Sequence, residues 1–345
     1  MLSLLKKQTK LIDVRAPIEF NTGALPYSIN LPILLDDERE MVGKTHKNKG
    51  NEAAINKGHL IVSGEIKDKR VSGWLDLIQK NPDAQLYCAR GGLRSEIAQL
   101  WLKEVGCDIK RIAGGFKALR NTCISILDEA SNDDKKWIII SGRTGSAKTK
   151  LINSLDNSIC LESRANHRGS AFGGFETPQP TPINFENSLA CDYLQITGNT
   201  VYFEDESRTI GRLVIPENFY DKMSTSKIVL IEEPIENRIQ NIYEEYVEKK
   251  IEGKTLKVQS DHLRAKLTKI SKRLGGDNYN KVDTLIKLAF EHNDPKIHFE
   301  WIEILLSSYY DKMYDYQLEK KLDRCEYSGT WGSIKKYLMN INNNE

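Results

Sequence analysis

The octapeptide Cys88-Ala89-Arg90-Gly91-Gly92-Leu93-Arg94-Ser95 constrains the fold of this chain more than any other segment. A short apolar run, Gln85-Leu86-Tyr87, precedes it, and a run with helical character follows at 96–102. Strand, glycine turn and helix in that order make an α/β unit. Its loop N–H groups and helix N-terminus curl around an anion. The sequence places a thiol at that point, between the fixed charges of Arg90 and Arg94. Such surroundings favour the thiolate, the reactive form. Cys88 is therefore the candidate nucleophile, for chemistry with sulfur, selenium or phosphate. Arg90, Gly91, Gly92, Arg94 and Ser95 are the candidate oxyanion-binding residues.

The same arrangement returns at 137–155. The apolar run Trp137-Ile138-Ile139-Ile140-Ser141 suits a buried parallel strand. It leads into Gly142-Arg143-Thr144-Gly145-Ser146-Ala147-Lys148-Thr149 and then a helical run at 150–155. This is the P-loop order. Gly142, Arg143, Thr144, Gly145, Ser146, Lys148 and Thr149 are the candidate diphosphate-binding residues. Lys148 is placed to reach terminal oxygens, and the Thr149 hydroxyl can hold a metal such as magnesium. Ala147 stands where the pattern has glycine; its Cβ narrows the cradle but fits a helix start at negative φ. An acidic cluster follows the apolar run at 201–203. Asp205 and Glu206, with Arg208 beside them, are second-site candidates at a strand end. A Gly-rich segment at 164–174 reads as a loop carrying Arg164, His167 and Arg168.

A chain of 345 residues exceeds what one core normally serves. Alternating segments suggest a unit at 1–127, with 36–50 polar and loop-like at 47–50. A charged linker follows at 128–136, then a P-loop α/β domain at 137–234 and a mostly helical region at 235–345. Net charge is only +2, which gives no global nucleic-acid signature. Residues 249–273, however, carry nine Lys or Arg against two acids, a local excess able to follow a phosphate backbone. The six cysteines lack CxxC spacing, so no metal centre is expected and the thiols read as reduced. No apolar run nears the ~18 to 20 residues that span a bilayer, and no signal peptide is recognisable. A cytoplasmic protein without membrane contact is the expectation.

Leu11-Ile12-Asp13-Val14-Arg15, Gly23-Ala24-Leu25-Pro26, the Cys88 loop and Gly114-Gly115-Phe116 resemble a rhodanese domain, whose cysteine carries a persulfide. A rhodanese followed by a P-loop, with the segments at 36–39, 58–64, 165–170 and 204–211, resembles the tRNA 2-selenouridine synthase family. The resemblance implies an N-terminal rhodanese-like domain, a P-loop NTPase-like parallel-sheet domain and a helical C-terminal region. It also implies a two-step transferase acting on the wobble 2-thiouridine of tRNAs for Lys, Glu and Gln. Geranyl diphosphate first alkylates the sulfur, and selenium from selenophosphate then replaces S-geranyl. Cys88 would serve as selenium carrier or nucleophile. No tightly bound cofactor is implied. A selenophosphate-producing enzyme is the implied partner besides tRNA. Ala89 departs from the family's usual tryptophan, and Ala147 from its usual glycine. Two other readings stay open: a rhodanese-type sulfurtransferase with a P-loop ATPase switch, and a tRNA- or anion-binding module.

Overall fold

The computed structural model describes residues 1–170, 172–175, 177–249 and 255–343, with side chains through 341. They form two units, 1–130 with 180–195, and 131–179 with 196–345.

In the first unit, β1 (Leu11–Asp13), β2 (Ser28–Asn30), β3 (Gln85–Tyr87) and β4 (Lys110–Arg111) make a parallel sheet in the order β2-β1-β3-β4. Crossover helices cover it, as parallel pairing requires. Val71, Trp74, Leu75 and Ile78 recur at helical spacing and turn one face of the helix Gly64–Lys80 inward. Trp74 stacks on Trp101 of the helix Leu93–Glu104 with ring centroids 6.2 Å apart. Both close over Ile12 and Leu86 of the sheet. Truncating such a buried aromatic costs about 3–5 kcal/mol.

Three expectations from the sequence are corrected. Residues 36–61 are one helix, Asp36–Ile61, broken only at Gly50, where φ is 84°. Acids in its first turn and the Glu38 carboxylate accepting from Leu35 N at 2.6 Å start it against a polar composition. The expected linker is mostly helix, because Gly115–Asn132 keeps its apolar period through Ile126, Leu127 and Ala130. Only 133–135 separates it from the next strand. The expected 137–234 domain is interrupted, since the helix Pro182–Gln195 belongs to the first unit. There Asn184 Oδ1 accepts from Ala24 N at 2.7 Å, and Asn187 Nδ2 donates to Ala24 O at 2.8 Å. Arg120 binds Asn187 and Glu186 of the same helix.

The second unit holds β5 (Lys136–Gly142), β6 (Ser158–Ile159), β7 (Thr200–Glu204), the antiparallel pair β8 (Thr209–Ile210) and β9 (Leu213–Val214), β10 (Lys227–Ile231) and β11 (Cys325–Gly329). The main sheet is parallel, in the order β11-β10-β5-β7-β6. Trp137, Phe203 and Phe219 pack one face. Connections leave the central β5 toward one side and later reach β10 on the other. The carboxyl end of β5 is thus a switch point, where open α/β sheets bind ligands. The C-terminal region is mostly helical, as expected, and adds one strand, β11, whose exposed, polar edge sequence carries no apolar run to announce it. Helices Ile235–Tyr243, Leu256–Thr268, Gly276–His292 and Pro295–Leu305 pack around Leu263, Leu267, Ile286, Trp301 and Ile302. Two π-helical turns, Glu244–Glu248 and Leu306–Tyr310, extend the first and last of these four.

Candidate functional site

In the first unit, Cys88 leaves β3 and lies at the mouth of the helix Leu93–Glu104. Its residue is only 3% exposed. The turn Gly114-Gly115 braces the loop: Phe116 N donates to Cys88 O at 2.9 Å and Lys117 N to Ala89 O at 3.0 Å. Gly115 sits at φ 57°, and a Cβ there would stand 2.1 Å from Cys88 O. Only glycine permits that approach. Cys88 Sγ lies 3.3 Å from Ser95 Oγ. Burial pushes the thiol pKa up, but the Ser95 hydroxyl, the N–H groups of Ser95 and Arg90, and the Arg94 charge outweigh it, leaving the pKa lowered. Arg94 is itself held by Glu19 at 2.5 and 3.0 Å, and Glu19 also pairs with Arg39. The result is a thiolate-favouring loop with a tethered cation.

In the second unit, the loop after β5 borders a cavity of about 580 Å³. Gly142, Thr144, Gly145, Ser146, Lys148 and Thr149 line it, as do Asp205, Glu206 and Arg168. These sequence candidates are brought together. Arg143 is not among the lining residues; its guanidinium pairs with Asp315 at 2.7 Å. Arg208, Arg164 and His167 also lie off the lining. Arg208 pairs with Glu217 at 3.7 Å. His167 Nδ1 accepts from Gly169 N, which gives it a loop-shaping role.

The loop is held from behind. Arg238 Nε donates to Thr144 O at 2.9 Å while its guanidinium pairs with Asp311, and Asn241 Nδ2 donates to Gly145 O. Gly145 has φ 85°, and a Cβ would meet Arg238 O at 2.7 Å. Ala147 has φ 59° and ψ 35°, the left-handed region, against the negative φ expected of a helix start. Lys148 Nζ donates to Gly142 O at 2.6 Å, and Thr149 Oγ1 to Glu162 Oε2 at 2.8 Å. Ser146 Oγ is buried with no hydrogen-bond partner among the described residues. A cradle of loop amides, one lysine and a spare hydroxyl fits a phosphate group.

Glu162 and Glu206 face this loop. Burial raises both carboxyl pKa values; the Glu162 charge raises Glu206 further, while hydrogen bonds from Thr149 and Glu206 offset part of the rise at Glu162. Glu204, wholly buried behind them, is pushed up to about 7 by burial and by Glu162. Asp205 accepts from Ser141 Oγ at 2.5 Å and Lys321 Nζ at 2.6 Å. Sequence reasoning missed Glu162 and Lys321; Tyr246 and Tyr310, which also border the cavity, read from the sequence as helix-spaced core residues available for stacking on RNA. Glu162 is acidic in the first turn of the short helix Leu161–Ala165, the one local signal available. No group of three His, Cys, Asp or Glu able to hold a metal occurs among the described residues.

The basic segment at 249–273 is not one uniform patch. Lys250 and Lys254 lie outside the described residues. Lys266 is buried and donates to Phe172 O and Gly174 O. Arg264 pairs with Asp283 at 2.7 Å. Lys249 and Arg273 line the phosphate-loop cavity, while Lys257, Lys269 and Lys272 are exposed.

Comparison with known proteins adds family information. Residues 135–345 match the tRNA 2-selenouridine synthase AAA domain, and residues 1–122 a rhodanese-like domain. A tRNA 2-selenouridine synthase of Shewanella denitrificans is 45% identical, covering 97% of this chain and 95% of its own. Those of Hydrogenovibrio crunogenus and of a Sulfurovum species are each 43% identical, over 96% and 97% of this chain and 95% and 96% of theirs.

Proposed function

The chain belongs to the tRNA 2-selenouridine synthase family, and from that premise we propose that it converts wobble 2-thiouridine in tRNA to 2-selenouridine in two steps. The observation that carries the reading is the pairing, in one chain of this family, of a thiolate-favouring loop with a phosphate cradle. In the first step the 2-thio sulfur attacks C1 of geranyl diphosphate, the C–O bond breaks and diphosphate leaves. The loop amides and Lys148, released from Gly142 O, stabilise the departing charge. Alkylation at sulfur frees the N3 proton. The Glu162–Glu206 pair, raised in basicity beside the cradle, accepts it. The Thr149 hydroxyl would hold a magnesium ion arriving with the diphosphate, where it would neutralise leaving-group charge.

The second step replaces sulfur at C2. Cys88 acts as nucleophile: its thiolate adds to C2 and expels geranylthiolate. The selenide of selenophosphate then displaces Cys88, and water cleaves the Se–P bond to give phosphate. Electron balance favours this over a selenium carrier, because a perselenide on Cys88 would require phosphorus to be reduced. Arg90, Arg94 and the loop amides hold the selenophosphate oxyanion. The substrates are tRNAs for Lys, Glu and Gln; a selenophosphate-producing enzyme supplies the donor, and the reaction belongs to the cytoplasm.

The test is mass analysis of nucleosides from 2-thiouridine tRNA incubated with geranyl diphosphate and then selenophosphate. A geranylated nucleoside followed by selenouridine is expected. Sulfur transfer from thiosulfate with substrate-stimulated ATP turnover, and no geranyl product, would instead support the sulfurtransferase reading.

A further inference from the structure

The phosphate-loop cavity has an apolar annex. Thr144, Ser170, Ile242, Tyr246 and Tyr310 line both spaces, and beyond them the annex is walled by Phe172, Leu263, Trp301, Ile302 and Leu306. Its open volume is about 30 Å³, room for roughly two or three water-sized groups. Among the described residues, its only side-chain hydroxyls, other than the two tyrosines', belong to Thr144 and Ser170 where it joins the larger cavity. A nucleobase would find no partners there for its exocyclic groups and ring nitrogens. A branched hydrocarbon end needs none.

The two tyrosines at the junction sit on the two π-helical turns, Glu244–Glu248 and Leu306–Tyr310. Such turns make up well under 1% of residues and occur often at functional sites. Both tyrosines line the boundary between the two spaces, and both hydroxyls meet Ser170.

We propose that the annex receives the terminal isoprenoid end of the prenyl diphosphate whose diphosphate the loop cradles, and that its depth sets chain-length preference. This rests on the prenyl-transfer reading above. The first isoprene unit lies along Tyr246 and Tyr310 in the wider cavity, and the gem-dimethyl end enters between Ile302 and Leu306.

The experiment is calorimetric titration of the full chain with inorganic, dimethylallyl, geranyl and farnesyl diphosphate. Leu306→Phe fills the annex and Ile302→Ala deepens it; native folding of each is checked by circular dichroism. Each buried CH2 is worth about fourfold in affinity. Leu306→Phe is expected to lose at least tenfold for geranyl diphosphate and little for the inorganic or dimethylallyl forms. Ile302→Ala is expected to shift preference toward farnesyl diphosphate, and it carries the test alone if Leu306→Phe does not fold. Wild-type preference for geranyl diphosphate that both variants leave unchanged overturns the annex and spares the prenyl reading. A wild type that binds geranyl diphosphate no better than inorganic diphosphate overturns both.

Discussion

Ala147 is the residue whose chemistry and conformation disagree. Its left-handed backbone costs a non-glycine residue roughly 1–2 kcal/mol. The loop around it is fixed by Arg238 and Asn241, and Trp331 Nε1 donates to Ala147 O at 3.2 Å. An Ala→Gly change at an ordinary helix position costs about 1 kcal/mol. Here Ala147→Gly is expected to leave stability unchanged or raise it by up to about 1 kcal/mol, and to tighten diphosphate binding. Denaturant unfolding and titration with diphosphate check this; a loss of stability would mean the left-handed geometry is not held. At Cys88 the lowered thiol pKa predicts that alkylation by iodoacetamide sets in at lower pH than for an ordinary thiol. Ser95→Ala removes a hydroxyl beside the sulfur that favours the thiolate, so the protonated form gains and the inflection moves to higher pH. An inflection that stays put would remove Ser95 from the site. Both loops were legible because loop, charge and helix start are consecutive. The pairing of Arg143 with Asp315, 172 residues away, had no local signal in the sequence.

Elements were readable wherever burial imposes a period. β5, β7 and β10 are continuous apolar runs, and the helix at 64–80 shows its buried stripe in sequence. β11 and the helix at 36–61 escaped because both are mainly exposed, and polar composition there does not distinguish helix, strand or loop. The π-helical turns have no sequence signature at all. The helix Ile235–Tyr243 has a role its amphipathic pattern hid, since Arg238 ties the phosphate loop to Asp311. The side chains of this pair are 4% and 20% exposed. Arg238→Ala leaves Asp311 without its counter-charge and Thr144 O without its donor, a loss of about 3–5 kcal/mol. Denaturant unfolding should show that drop, with faster amide exchange across 142–149. A loss under about 1 kcal/mol would reduce the pair to a surface contact.

At the scale of the whole molecule, the order rhodanese, P-loop and helical region was legible, while its boundaries were not. The helix at 182–195 leaves the second unit's sequence to serve the first unit's core, a choice made by Asn184, Asn187 and Arg120 at tertiary distance. Charge counting likewise overstated the segment at 249–273, where burial takes Lys266 and an ion pair takes Arg264. The central claim is that two steps are divided between two loops. It is tested most directly by following wobble nucleosides in 2-thiouridine tRNA treated with Cys88→Ala protein, geranyl diphosphate and then selenophosphate. The account predicts that the geranylated nucleoside forms at the wild-type rate and accumulates, with no selenouridine. Equal loss of both products in a natively folded Cys88→Ala protein would contradict it.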